Sequence, residues 1–348
     1  MYSNISITNL RSIKKLDLND LKQINLFVGN NNCGKTTILE SIFLLSGPTN
    51  PNLPNSINLL RGYNAIDDNY WKVIFNNLNT SDEINIKGDF MSPKEMRNLH
   101  LKALIEPIKI NQADIKKIGD TNITEFINGI EMSLTLNTGG KVQQYNSKIY
   151  KDELEIKLDI AKNFKNTFNC TFLPSRFLLS DINKKLESII RNKKEEKILK
   201  VLQKIDPNIQ KIAFIGNQIN FDIGLDNLVP IYILGDGIIK VLSIVITIAE
   251  SPNGIVLIDE IENGLYTKSQ NILWEAVFES SKEFNTQIFA TTHSIECLRS
   301  VVDTHESLDI KDDVFKLFRI EKNNEEIKAI DYTIEILKES LNSGWEVR

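Results

Sequence analysis

Residues Gly29, Asn30, Asn31, Asn32, Cys33, Gly34, Lys35 and Thr36 read G-x-x-x-x-G-K-T, and Thr37 follows. The glycines let the backbone turn its N–H groups onto phosphate oxygens, and a helix starting here adds the positive end of its dipole. Lys35 would reach the β and γ phosphates of a nucleoside triphosphate, and Thr36 would offer its hydroxyl to Mg²⁺. Cys33 inside this loop reads as a small filler rather than a redox switch. Far downstream, Gly254-Ile255-Val256-Leu257-Ile258 ends in Asp259 and Glu260. Asp259 suits a Mg²⁺ shell, and Glu260 is placed to polarise an attacking water. An apolar run before two acids is common by itself; paired with the upstream loop it reads as a Walker B strand. His293, in Ala290-Thr291-Thr292-His293-Ser294, follows one strand later, where a neutral imidazole can hydrogen-bond a γ-phosphate and sense its loss. His100 and His305 have no such context and are expected at the surface.

The elements that must hold these groups follow from apolar periodicity. Ile5 and Ile7, then Ile13, Leu16 and Leu18, predict a hairpin or meander ending in a buried strand over 24–28. The phosphate loop comes next, and then an apolar helix over 38–45. Residues 47–79 carry Pro48, Pro51, Pro54 and many Asn, which predicts an irregular surface excursion with a short helix near Trp71 and no packed role. From 84 to 160 the pattern is β-rich, with a run over 132–136 facing a second across Asn137-Thr138-Gly139-Gly140, as in an antiparallel arm. A strand over 168–172 is stopped by Pro174. Apolar spacing over 181–205 fits one long helix or two short ones, with the charged residues 191–197 as a solvated face. A β pair over 209–223 precedes a βαβ rhythm: a helix, strand 255–258, helix 270–284, strand 287–291 and a helix from Ser294. That rhythm predicts a largely parallel sheet, and two strands and a helix close the chain.

These segments, with Leu234-Gly235-Asp236-Gly237-Ile238 before a helix, resemble an ABC-type ATPase head of the SMC, Rad50 and RecF kind. They are most similar to the AAA15/AAA21-type ATPases of the OLD family. Ile7-Thr8-Asn9-Leu10-Arg11-Ser12 matches that family's I-x-N-F-R-S opening, with Leu10 in place of Phe. Residues 259–265 match its D-E-x-E-x-G-L-H run, with Tyr266 where His is usual. The resemblance implies an α/β fold, an ABC-type (SMC/Rad50-like) P-loop head, composite over 1–47 and 205–348. Residues 48–204 would be an inserted arm, β-rich over 84–172 and helical over 181–204. It implies ATP and Mg²⁺ as cofactors, Gly29 to Thr37 around the phosphates, Thr36 and Asp259 on the metal, and Glu260 and His293 as catalytic groups. It also implies that Gly235, Asp236 and Gly237 cap the γ-phosphate of ATP bound to an opposed second subunit. Asp236 would repel that phosphate unless it turns away or meets a cation. No Q-loop glutamine is found, since Gln143 and Gln144 fall in the predicted hairpin. The stretch from Lys35 to Asp259 is longer than a transporter ATPase needs and lacks the sustained heptads of a coiled coil.

Composition narrows the function further. The 348 residues include 25% charged and 41% hydrophobic ones, which excludes disordered and collagen-like classes. A net charge of −5 does not advertise a polyanion partner and favours a protein partner before DNA. Three cysteines, Cys33, Cys170 and Cys297, form no C-x-x-C pair, and the N-terminus has no secretory signature, so a reducing, cytoplasmic location is expected. The most apolar stretch, 231–249, is interrupted by Gly235, Asp236, Gly237 and Lys240 and makes a poor membrane span. The resemblance therefore implies an ATP-hydrolysing switch that dimerises head to head and controls an effector nuclease or toxin on a separate polypeptide, in bacterial anti-phage defence. The alternative is a RecF/Rad50-like DNA-binding repair ATPase.

Overall fold

The computed structural model describes residues 1–64, 67, 69–91, 94–106, 126–152, 155–175, 179–191, 195–216, 218–233, 236–323 and 326–347. Strands β1 (Tyr2–Leu10) and β2 (Ile13–Leu18) form the expected hairpin, with Ile5 opposite Leu18 and Ile7 opposite Leu16. Strand β3 (Ile24–Val28) is buried at all five residues and leads through the phosphate loop into α1 (Lys35–Ser46). Helix α2 (Leu53–Leu60) follows, and then β4 (Ile84–Phe90), β5 (Glu95–Glu106), β6 (Phe126–Thr138), β7 (Lys141–Asp152), β8 (Glu155–Asp159) and β9 (Cys170–Leu173). Two helices, α3 (Leu179–Arg191) and α4 (Glu195–Ile205), fill the stretch that fitted one or two. A small sheet of β10 (Lys211–Ile215), β11 (Gln218–Asp222) and β12 (Val229–Pro230) comes next. The expected βαβ rhythm then runs through α5 (Asp236–Ala249), β13 (Ile255–Ile258), α6 (Thr267–Phe284), β14 (Gln287–Thr291) and α7 (Ile295–Ser307). Strands β15 (Phe315–Asn323) and β16 (Glu326–Tyr332) and helix α8 (Ile334–Asn342) close it.

Two large sheets sandwich α1. The six-stranded sheet has the order β16-β15-β3-β14-β13-β9 and is parallel except for β16. Ile24, Leu26, Val256, Ile258, Ile288 and Ala290 point to the side packed by α3 to α8. Phe27, Ile255, Leu257 and Phe289 point to the other side, where Ile38, Leu39 and Ile42 of α1 meet them. Burial of both faces explains why these strands read as unbroken apolar runs. The seven-stranded antiparallel sheet, β2-β1-β4-β5-β6-β7-β8, covers the far side of α1 with Ile5, Ile7, Ile86, Leu99 and Ile130.

Four expectations are corrected here. Residues 48–204 do not stand off as an arm: β4 pairs with the free edge of β1 (Thr8 opposite Asn85), so β4 to β8 extend the N-terminal hairpin's sheet. Strand β9, expected within that arm, is an edge strand of the six-stranded sheet, parallel to β13. Alternation in each strand shows which face is buried but not which strand lies alongside. The excursion at 47–79 is packed as well, since Tyr70, Trp71, Ile74 and Phe75 are buried and Phe75 bridges Leu10. Finally, His305 is buried with its ring edge-on to Phe278, while His100 is partly buried. Among the described residues, no helix is long and apolar enough to cross a membrane.

Candidate functional site

The loop from β3 to α1 opens onto a cavity of about 770 Å³, lined on this side by Asn31, Asn32, Gly34, Lys35, Thr36 and Thr37. Gly29 has φ 146°, and a Cβ there would collide with the Ile320 carbonyl, so the loop can pass β15 only as glycine. Gly34, at φ 102°, turns the chain into α1, whose first amides have no intrahelical acceptor and face the loop. The Lys35 ammonium donates to the carbonyls of Gly29 (2.8 Å) and Asn30 (2.9 Å) and lies 3.7 Å from Cys33 Sγ. Burial pushes its pKa below the ordinary lysine value, against the pull of Cys33, Asp259 and Glu260. Cys33 is buried under the loop, as a filler residue would be.

The ends of β13 and β14 bring the acids to the same place. Thr36 Oγ1 stands 3.2 Å from both Asp259 oxygens, and Thr291 Oγ1 donates to Asp259 Oδ1 at 2.7 Å. A hydroxyl and a carboxylate converging at a phosphate loop are the hard oxygen donors that Mg²⁺ takes, and Mg²⁺ keeps its other positions for phosphate and water. Thr36 and Asp259 thus fit that ion, which would supply charge neutralisation at the β and γ phosphates. Glu260 lines the cavity; its N–H donates to Thr291 Oγ1 at 2.8 Å, and its φ of 49° turns it out of line with β13. His293 also lines the cavity, and its backbone N–H donates to Glu262 Oε1 at 2.8 Å. Lys240 of α5 is buried nearby; burial lowers its pKa, and the charges of Glu262, Glu260 and Asp259 raise it.

Sequence reasoning missed the arginines of this cavity. Glu40, on the same helix as Lys35 and 1% exposed at its side chain, accepts a hydrogen bond from Arg61 Nε at 2.6 Å and pairs by charge with Arg11, whose Nε lies 2.8 Å from Oε2. Arg61 Nη2 also reaches Thr37 Oγ1 at 3.2 Å, and both arginines line the cavity. Burial lowers the pKa of Arg11, with Glu40 opposing. Burial acts the same way on Arg61, but the hydrogen bonds and charge of Glu40 outweigh it and leave its pKa raised. Arg11 lay inside a matched motif without a role; Arg61 lay in the excursion with no signal at all. Replacing Glu40 by Gln should cost about 1.5–3 kcal/mol of stability, the range for hydrogen bonds to charged groups, read as a lower denaturant midpoint.

Of the three signature-loop residues, Gly237 is described and is not among the residues that line this cavity. Gly235 lies outside the described residues, Asp236 begins α5, and Gly237 packs against Leu265 and Ser269. Gln143 and Gln144 sit on β7 in the β6–β7 hairpin and are exposed, as expected.

Known proteins resemble this chain in sequence and in fold. The AAA ATPase domain family, AAA_15, matches residues 1–177 and 174–298. A Helicobacter pylori protein named ATP/GTP phosphatase is 26% identical over 340 residues, spanning 87% of this chain and 88% of its own. An Smc head solved with the C-winged helix domain of ScpA superposes with a TM-score of 0.50 at 11% identity, covering 97% of this chain and 99% of that one. The ABC-type, SMC-like head expected from the motif order is therefore the fold observed.

Proposed function

The chain belongs to the AAA ATPase domain family, AAA_15, and is an ATPase of the SMC-head class; from that premise we propose an ATP-driven switch in which two copies close head to head over two nucleotides and hydrolysis releases them. Gly29 to Thr37 hold the phosphates, Thr36 and Asp259 hold Mg²⁺, Glu260 takes the proton of the attacking water, and His293 bonds the γ-phosphate. Glu262 holds the His293 backbone and so ties the third phosphate contact to the Walker B loop.

The observation that carries the dimer is the position of Gly237. It packs on Leu265 and Ser269 and does not line the cavity of its own chain; Tyr266, next to Leu265 in sequence, is 87% exposed, and Ile233, four residues before Gly237, is 71% exposed. A second copy would cover these side chains and complete the phosphate site. The match of residues 7–12 and 259–265 to OLD-family motifs and the net charge of −5 support a protein effector in anti-phage defence. The Smc head solved with a ScpA domain is a precedent for a head that binds a partner protein.

The test is sedimentation of the wild-type chain with Mg²⁺ and a non-hydrolysable ATP analogue. A dimer with the analogue and a monomer without it are expected, and a monomer at saturating analogue would sink the switch. Salt-sensitive DNA binding or DNA-stimulated turnover would instead select the repair reading.

A further inference from the structure

Eleven non-glycine residues among those described have left-handed backbone, and eight of them are Asn or Asp, the types that tolerate it. The other three are Arg11, Leu78 and Glu260, and all three line the nucleotide cavity. Strain of this kind persists where the surroundings enforce it, and it gathers at functional sites. The Arg11 side chain is paired with Glu40, and Glu260 stands at the end of the Walker B strand. Leu78, at φ 59° and 52% exposed, has neither a charged partner nor a buried face, and Asn77 beside it has φ 51°.

The corner is built rather than loose. Arg11 N–H donates to the Ile74 carbonyl at 2.8 Å, Asn76 Nδ2 donates to the Arg11 carbonyl at 2.6 Å, and Leu78 N–H donates to the Phe75 carbonyl at 3.2 Å. These bonds pin residues 74–78 to the β1–β2 turn. The segment contributes Phe75, Asn77 and Leu78 to the cavity wall, all uncharged, whereas the phosphate side carries Lys35, Glu260 and His293.

We propose that Asn77 and Leu78 form the purine-base subsite, Leu78 covering the base face and Asn77 hydrogen-bonding its edge; this rests on the nucleotide reading of the cavity. A triphosphate seated on the P-loop leaves a flat, uncharged base to be placed, and a small apolar surface with one polar group is what such a ligand needs. The Asn77 amide offers one donor and one acceptor side, so it pairs with adenine N1 and N6 or, turned over, with guanine O6 and N1. An aspartate at 77 would only accept, which suits guanine N1–H and N2–H and opposes the adenine N1 lone pair.

The test is calorimetric titration of the full chain with ATP, GTP and inorganic tripolyphosphate, together with a melting curve for each variant. Leu78→Gly should raise the melting temperature, because glycine accepts this backbone freely, yet weaken ATP about tenfold through lost apolar contact. Tripolyphosphate binding should stay unchanged. Asn77→Asp should weaken ATP about tenfold and GTP much less, the asymmetry expected when one edge hydrogen bond is lost to adenine and kept for guanine. A merely structural role for Leu78 cannot give higher stability with lower affinity. If both variants bind ATP and GTP like wild type while Lys35→Ala loses both, the base subsite is wrong and the nucleotide site stands. If Lys35→Ala binds ATP like wild type, the nucleotide reading itself fails and takes the subsite with it.

Discussion

Glu260→Gln should lower ATP turnover by about 10²- to 10⁴-fold, the contribution typical of a positioned general base, while ATP binding stays at the wild-type level. The substitution keeps the size of the side chain and its ability to bond Asn263 Nδ2, which lies 3.4 Å from Glu260 Oε2. The backbone that aims it is held separately, by the Glu260 N–H bond to Thr291 Oγ1. What the amide cannot do is take a proton from water at neutral pH. The left-handed φ of Glu260 shows that the fold turns this residue into the cavity against its own backbone preference. Phosphate release under saturating ATP reads the rate, and equilibrium binding reads the affinity. A loss of less than tenfold would remove Glu260 from the role of base, and a parallel loss of binding would make it a ligand of the ground state instead.

The sequence was most legible where chemistry forces residue types onto adjacent positions. A phosphate cradle needs Gly29, Gly34, Lys35 and Thr36 in one loop, and burial on both faces needs the apolar runs of β3, β13 and β14, so these elements could be read from local pattern. What escaped depends on contacts between distant segments. Arg61 joins the cavity only because Glu40, on the far side of the proline-rich excursion, offers a buried carboxylate. Outside α2 the same excursion looks irregular in sequence, and a contact from a distant segment ties it together: the Arg11 side chain donates to the Val73 carbonyl and to Asn58 Oδ1. Strand β9 is four residues of edge whose partner, β13, lies more than eighty positions later, and nothing in Cys170–Leu173 specifies that partner.

The largest stability loss is expected at a position that touches no nucleotide. Arg97, on β5 of the seven-stranded sheet, is 1% exposed and donates through Nε to the buried Glu95 at 2.7 Å. Its Nη1 approaches the carbonyls of Leu45 and Ser46 at 3.3 and 3.4 Å, and Nη2 donates to Asn166 Oδ1 at 3.0 Å. The guanidinium lies 4.7 Å from the Phe168 ring centroid and 5.1 Å from that of Phe90. Those two carbonyls are the last of α1, so the cation meets the negative end of the helix that carries Lys35 and Thr36 at its other end. Arg97→Ala would leave Glu95 charged in the interior without its hydrogen-bonded partner, and breaking a buried pair in this way costs about 3–5 kcal/mol. The double variant Arg97→Leu with Glu95→Leu should recover most of that loss, because removing both charges removes the desolvation penalty as well. Denaturant midpoints of the single and double variants decide it. If the double variant is no more stable than Arg97→Ala, the loss comes from the uncapped end of α1 and the emptied aromatic cage, and the contact with α1, rather than the ion pair, is what holds the two sheets in register around the phosphate loop.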